Sequence, residues 1–372
     1  MVAELLKKLV KACSTLDKGE LESANVLHEY FSSRNIPSKI DSWNGSRANI
    51  TAHIKGIGGR KALLFGSHID VVPVGNEVWL HPPFEAVESD GKIFGRGSCD
   101  MKAGNAAIAA AAAEIINSGL KIKGDLIITA TAGEEVDSCG AVKFLSDYAK
   151  TMPELAGIIL PEPTNFDIIT GHRGIFWLKI TTHGKTAHGS MPHLGINAIT
   201  SMTAILERLK NYQPSCQIHP QFGKSSMSIN KIEGGKATNV IPDQCCIEID
   251  VRTLPGQDTD RIQSDLRGIF DQLRREIPDF KADIEVIRRA GSIFTDPDCE
   301  FVKAVKNSAG ISETKIVGYT TDGPYFEKLG APVIVFGPGR TELAHQPNEY
   351  VEIKDLHKAV ELYKKIILEF LA

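Results

Sequence analysis

The chain has 372 residues, more than one hydrophobic core usually serves, so two domains are expected; its 42% hydrophobic and 24% charged residues are those of an ordinary globular protein. A formal net charge of -4 and a pI near 6.3 argue against nucleic acid or an anionic membrane as partner, and no apolar run reaches the length of a bilayer. Seven cysteines (Cys13, Cys99, Cys139, Cys216, Cys245, Cys246 and Cys299) make no CxxC pair, which speaks against a disulfide framework or zinc ribbon and for a reduced, cytoplasmic setting.

The first residues, MVAELLKKLVKACSTLD, space their apolar side chains as an amphipathic helix and lack the continuous apolar centre of a signal peptide. A second helix is expected from Leu21 to about Arg34, followed by Pro37 and a short mixed segment. Asn49–Ile57 alternates as a half-buried strand, and Gly58–Gly59 turns the chain into Ala62–Gly66, apolar throughout as a strand buried on both faces tends to be. His68 and Asp70 lie just beyond it. A loop rich in proline and tryptophan leads to a hairpin-like stretch turning at Asp90–Gly91. The segment Phe94–Asn105, FGRGSCDMKAGN, then sets Asp100 between two glycine-containing turns.

Ala103–Ser118 reads as an alanine-rich helix suited to close packing on a sheet, Gly124–Thr131 as a buried strand ending beside Glu134 and Glu135, and Val142–Tyr148 as helix. Ile158–Leu160 is a short strand running into Pro161–Glu162–Pro163. Strand alternating with helix is the pattern of an α/β sheet, whose ligands collect outside the carboxyl ends of the strands. Near Gly174 the character changes. Ile175–His183, Ser225–Ile232, Cys245–Arg252 and Lys281–Arg288 alternate as strands, with helices at Leu194–Leu209 and Asp260–Glu276. They form an α+β unit with a four-stranded sheet, two helices and one covered face. From Phe301 the α/β pattern resumes with a helix, strands at Lys315–Val317 and Ala331–Phe336, a glycine-rich loop and a final helix at Lys354–Leu371. The expectation is a catalytic α/β domain of residues 1–174 and 290–372, with a central mostly parallel sheet flanked by helices, interrupted by a smaller α+β domain at 175–289.

A divalent hydrolytic metal of borderline softness accepts imidazole nitrogen and carboxylate oxygen. In a paired site one bridging carboxylate holds two ions about 3.5–4 Å apart. Asp100 can bridge, and His68, Glu135, Glu162 and His345 can be terminal ligands. Glu134 is then left as the base, with Asp70 behind His68 to fix its tautomer. Taken singly, each has a plainer reading: an HxD pair is more often a turn, adjacent glutamates are usually a solvated face, and His345 could be a surface histidine. The joint case is stronger, because the candidates cluster at the ends of elements of one sheet.

The segments GSHIDVVP, GRGSCDMKAG, TAGEEVDSCGA, PEPTN, HRGIFWLKITTHGKTAHGSMP, ATNVIPD and GPGRTELAHQPNEYV resemble, in order, the successive motifs of a large metallopeptidase family. That family includes acetylornithine deacetylase, succinyl-diaminopimelate desuccinylase, aminoacylase and a glutamate carboxypeptidase, and the resemblance covers essentially the whole chain. It implies two divalent ions, zinc foremost and cobalt as the alternative. His68, Asp100 and Glu162 would hold one, and Asp100, Glu135 and His345 the other, with Glu134 as general base and acid. It also implies a cis peptide at Asp100–Met101. His188 would stabilise the tetrahedral intermediate from across a homodimer formed through the inserted domain.

Substrate contacts would come from Arg173, Asn239, Arg252 and the Thr320–Gly323 loop, although Arg252 on a strand could equally serve a structural ion pair. The loop Gly337–Gly339 is expected to approach the substrate through its backbone; no helix start or lysine motif follows it to make a phosphate cradle. The residues around His345 look more like those of acetylornithine-type deacetylases than of desuccinylases. The expected function is therefore hydrolysis of the amide bond of a small N-acyl amino acid, by deacetylation or desuccinylation. A peptidase acting on short peptides is the alternative within the class, and a non-catalytic binding homologue the alternative outside it.

Overall fold

The strands that carry the candidate ligands belong to one nine-stranded sheet in the larger of two units. In order it comprises Ser38–Trp43, Arg47–Ile54, Leu126–Thr131, Ala62–His68, Leu155–Leu160, Val333–Val335, Ile168–His172 and Ile293–Phe294, with Thr314–Val317 pairing to Ile168–His172. The computed structural model describes residues 1–372. The larger unit comprises Met1–Gly171, Ile293–Val317 and Thr321–Ala372. Its four central strands, from Leu126–Thr131 through Val333–Val335, are mutually parallel, so their carboxyl ends open on one edge. Strand Ala62–His68 is buried along its whole length. Leu63 and Phe65 enter the core on one sheet face, while Ala62 and Leu64 enter the core on the other, which is why the segment reads as continuously apolar and not alternating.

On the first face lie the helices Val2–Lys11, Leu21–Ser32, Lys102–Asn117, Glu300–Ala309 and Ile353–Leu371. The alanines of Lys102–Asn117 let that helix bury nearly all of its circumference. A Cβ added at Gly104 would stand 2.0 Å from the Pro161 carbonyl oxygen, so the helix could not approach the sheet so closely with any larger residue there.

Three local departures from the sequence expectation have physical causes. The strands joined by Gly58–Gly59 are not neighbours, because Leu126–Thr131 lies between them, antiparallel to one and parallel to the other. The mixed segment after Pro37 forms the edge strand Ser38–Trp43, paired antiparallel with Arg47–Ile54. Finally, Tyr350–Glu352 adds to the expected hairpin of Val87–Ser89 and Lys92–Phe94 to make a three-stranded sheet. Asp90 and Gly91 turn that hairpin with φ of 50° and 72°, the left-handed pair a two-residue turn requires.

The smaller unit comprises His172–Ser292 with Gly318–Thr320. Its strands Ser226–Gly234, Gln244–Thr253, Gly174–His183 and Lys281–Ala290 form an antiparallel sheet in that order. Helices Ala198–Leu209 and Thr259–Glu276 cover one face, burying Met202, Ile205, Leu266 and Phe270 against Phe176, Leu178, Ile247 and Ile249. Asn197 and Asp258 cap the helix starts, each accepting two backbone N–H bonds. Gly318–Thr320 joins this unit through two bonds: Arg252 Nη1 donates to the Gly318 carbonyl at 3.4 Å, and Thr320 Oγ1 to the Arg173 carbonyl at 2.7 Å. No helix of the chain is long and apolar enough to cross a membrane.

Candidate metal centre

Three strand ends and one distant loop converge in the larger unit. His68 is the last residue of its strand and is buried. The first turn of Lys102–Asn117 fixes that strand end: Asn105 Nδ2 donates to the His68 carbonyl at 2.7 Å, and Ser67 Oγ donates to Asn105 Oδ1 at 2.5 Å. Asp100 lies two residues before that helix, and its peptide bond to the N-cap residue Met101 is cis. His68 Nε2 lies 3.3 Å from Asp100 Oδ1 and 3.7 Å from Glu162 Oε1. On the other side, His345 Nε2 lies 3.5 Å from Asp100 Oδ2 and 2.8 Å from Glu135 Oε1. Asp100 thus turns one oxygen to each imidazole, and each imidazole has a second carboxylate of its own.

Glu134 and Glu135 sit in the turn that follows Leu126–Thr131. Gly133 makes that turn at φ 79°, and its carbonyl accepts from Asp137 N and Ser138 N. A side chain at Gly133 would meet the movable ends of Arg47 and Asp137, and it is the left-handed backbone that favours glycine there. Asp70, expected behind His68, also holds this turn. Its two carboxylate oxygens accept Glu134 N and Glu135 N at 3.1 Å each. His68 Nδ1 is 3.1 Å from the Asp70 carbonyl oxygen and 3.4 Å from Oδ1, so Asp70 orients the imidazole through both backbone and side chain. Glu162, buried between its prolines, is held from the Gly337–Gly339 loop: Gly337 accepts Phe166 N at 3.1 Å, and its own N–H donates to Thr164 Oγ1 at 3.1 Å. A Cβ at Gly337 would fall 2.6 Å from the Glu162 carbonyl, which accounts for the glycine by close backbone approach.

The electrostatics are those of an anionic pocket. No lysine or arginine pairs with Asp100, Glu135 or Glu162; only His68 and His345 do. Burial, only partly offset by His68, pushes the Glu162 carboxyl up to about 7. Burial also raises Glu134 well above the usual carboxylate range, with Glu135, Asp322 and Glu162 adding repulsion. Glu135 is raised by burial against the opposing His345 hydrogen bond. Burial disfavours the imidazolium of His68, yet the Glu162 charge and the bonds to Asp100, Asp70 and Glu162 raise it well above its ordinary value. Three carboxylates facing two imidazoles, with no fixed cation, form a donor set that divalent cations would neutralise. His68, Asp100 and Glu135 present ligand atoms within 4.8 Å of one another. The residues therefore fit divalent metal, which they would hold through imidazole nitrogens and carboxylate oxygens.

The remaining expected residues are placed differently. Gly323 belongs to the larger unit, where it opens the short helix Gly323–Phe326, buried, and its N–H donates to Thr321 Oγ1 at 3.0 Å. His188, Arg173, Asn239, Arg252 and Thr320 all lie in the smaller unit. A β-bridge pairs His188 with Val240, and Gly189 N donates to the Asn239 carbonyl at 2.8 Å, so His188 and Asn239 are neighbours. The His188 imidazole is exposed and bonded to Ser190. Both arginines have partners within their unit. Arg173 donates to the carbonyls of Lys224 and Phe222 at 2.9 and 2.5 Å, and Arg252 pairs with Asp250 at 3.0 Å through two nitrogens.

Three charged residues within or beside the ligand-bearing motifs were missed in the sequence. Arg96, Lys102 and Glu349 are charged yet buried. Lys102 Nζ donates to the carbonyls of Leu9 and Ala12 at the end of the first helix and to Ser23 Oγ. The available signal was a charge embedded in a glycine-rich or ligand-bearing motif, GRGSCDMK and AHQPNEY, where a solvated residue has no evident reason to stand.

A model of peptidase family M20/M25/M40 matches residues 64–369. The chain is 30% identical over 404 aligned residues to a probable succinyl-diaminopimelate desuccinylase of Staphylococcus aureus, with 99% of this chain and 97% of that protein covered. An acetylornithine deacetylase of Myxococcus xanthus is 30% identical over 339 residues, with 89% and 86% covered. Among solved structures, an aminopeptidase PepT of Bacillus cereus superposes with a TM-score of 0.82 at 22% identity, covering 99% of this chain and 98% of that one; at that identity the likeness is one of fold.

Proposed function

The chain belongs to peptidase family M20/M25/M40, and from that premise we propose that it is a dinuclear metal-dependent hydrolase of the amide bond of N-acyl amino acids, a deacetylase or desuccinylase. The observation that carries the reading is Asp100 turned between two imidazoles, each with its own carboxylate, next to the Glu134–Glu135 turn. His68, Asp100 and Glu162 would hold one ion and Asp100, Glu135 and His345 the other, zinc being the best match to a mixed nitrogen and oxygen donor set and cobalt the alternative. When bound, the ions would polarise the scissile carbonyl and acidify the attacking water.

The chain's own residues supply the proton transfers. Glu134, its carboxyl raised by burial and by neighbouring carboxylates, takes the proton of the attacking water and returns it to the leaving amine, a role that favours a pKa near the working pH. Asp70 keeps Glu134 in place through its backbone amide and keeps His68 in one tautomer. The smaller unit is the proposed dimerisation module, with His188 as donor to the tetrahedral intermediate. Arg173, Asn239, Arg252 and Thr320, with Gly323 of the larger unit, are the proposed contacts to substrate.

The deciding experiment is a hydrolysis screen of N-succinyl and N-acetyl amino acids against dipeptides, with zinc or cobalt supplied. Release of free amino acid from acylated substrates supports the reading. Activity on dipeptides alone would replace it with a peptidase, and no turnover of either class with metal taken up would leave a binding protein.

A further inference from the structure

Asp70 immobilises the Glu134–Glu135 turn by accepting two consecutive backbone amides. The structure contains a second carboxylate that does the same for the bridging residue. Glu349 Oε1 accepts Cys99 N at 2.8 Å and Asp100 N at 3.0 Å. Its other oxygen accepts Arg96 Nη1 at 2.7 Å. Both side chains are fully buried. The remaining arms of the Arg96 fork reach the His345 carbonyl at 3.2 Å, the Gln346 carbonyl at 3.2 Å and the Pro73 carbonyl at 3.4 Å, and the Trp79 ring lies 5.1 Å from the guanidinium carbon.

We infer that Arg96 and Glu349 act together as a positioning clamp that fixes the backbones of Asp100 and His345 relative to each other. The segments they join are far apart in the chain and meet only because Tyr350–Glu352 pairs with Lys92–Phe94, a ladder continued by Gly95 N donating to the Glu349 carbonyl. His345 needs such a hold, since its φ of 64° is a left-handed conformation that a histidine does not adopt freely. The planar fork suits the task, because it reaches the Glu349 carboxylate and the His345 carbonyl at once, and a lysine ammonium would not span both with the same rigidity. A fully buried ion pair is weak evidence for fold stability; here its bonds end on the amides and carbonyls of two ligand-bearing residues.

This inference rests on the metal reading above, and its test separates the two. Zinc affinities of the metal-stripped full chain are measured by chelator competition, alongside thermal melting of the same stripped protein. Arg96→Lys is expected to weaken the zinc held by Asp100 and His345 by about ten- to a hundredfold, and the zinc held by His68 and Glu162 by a smaller factor. Glu349→Ala is expected to weaken both, because Asp100 is shared. Glu349→Gln, whose amide oxygen can still accept the two N–H groups, should recover part of that loss. A wild-type chain that takes up fewer than two zinc ions defeats the metal reading. A wild-type chain that takes up two, with all three variants matching its affinities, overturns the clamp, whatever their melting temperatures. Failure of all three to fold without metal also overturns it, by assigning the pair to folding alone.

Discussion

The two units solve different problems with their polar residues. In the smaller unit, charge lies at the surface and local rules agree with the fold: strands alternate, Asn197 and Asp258 cap their helices, and ion pairs such as Arg208–Glu276 are exposed. In the larger unit, a histidine and several carboxylates are gathered at the carboxyl ends of parallel strands without a lysine or arginine to neutralise Asp100, Glu135 or Glu162. Locally consistent sequence is what folding alone favours, and departures from it concentrate at sites kept for function. The contrast is that the smaller unit gathers no such cluster of buried carboxylates, while the larger one carries an electrostatic cost that bound cations would relieve.

The largest expected effect is that of Asp100→Ala, which removes the ligand common to both ions: metal content should fall to background and hydrolysis with it, as measured by elemental analysis and product release. Glu134→Ala comes next. It should lower turnover by about 10²–10⁴-fold while leaving metal content intact, and a near-normal rate would take Glu134 out of the mechanism. On the other side of the comparison, Phe270→Ala empties part of the smaller unit's core and should cost about 3–5 kcal/mol in denaturant unfolding, with zinc uptake by the folded protein unchanged. Loss of zinc affinity in that variant would break the contrast.

A pH test sharpens it further. Burial holds His172, the last residue of strand Ile168–His172 where the two units join in the chain, down to about 4, below its unfolded value near 6.5, so the folded state binds fewer protons than the unfolded one. Its contribution is therefore complete above about pH 6.5 and is lost as pH falls toward 4, by about 3 kcal/mol over that window. His172→Asn should flatten the pH dependence of unfolding of metal-free protein across that range, and an unchanged slope would exclude His172 as its source. The smallest effect is expected from Asp258→Ala, which removes a helix cap and should cost about 1 kcal/mol in the same assay without altering metal affinity.

Much of this was legible in the chain itself. The apolar runs ending at His68, Thr131 and Leu160 marked buried strands, since a strand covered on both faces leaves no polar alternation, and residues just past such ends are where α/β sheets collect ligands. His68, Asp100, Glu134, Glu135 and Glu162 were accordingly legible as candidates there, whereas His345, in a loop far along the chain, lay outside that rule and its place in the proposed set rested on the resemblance of its motif. The order of the strands was not, because the pattern of a strand does not name its neighbour: Gly58–Gly59 suggested adjacency where Leu126–Thr131 intervenes.

The sequence by itself determined the alternation of elements, the change of character near Gly174 and the chemistry available at each strand end, because these depend on periodicity and residue type over short spans. Only the tertiary structure decided which oxygen of Asp100 faces which histidine, that Asp70 grips the Glu134–Glu135 turn, and that Glu349 and Arg96 close on Asp100 and His345 from the other end of the chain. The bonds of Glu349 and Arg96 join backbone groups some 250 positions from their side-chain partners. Backbone amides and carbonyls are the same at every residue, so no side-chain pattern could have shown where they would be held.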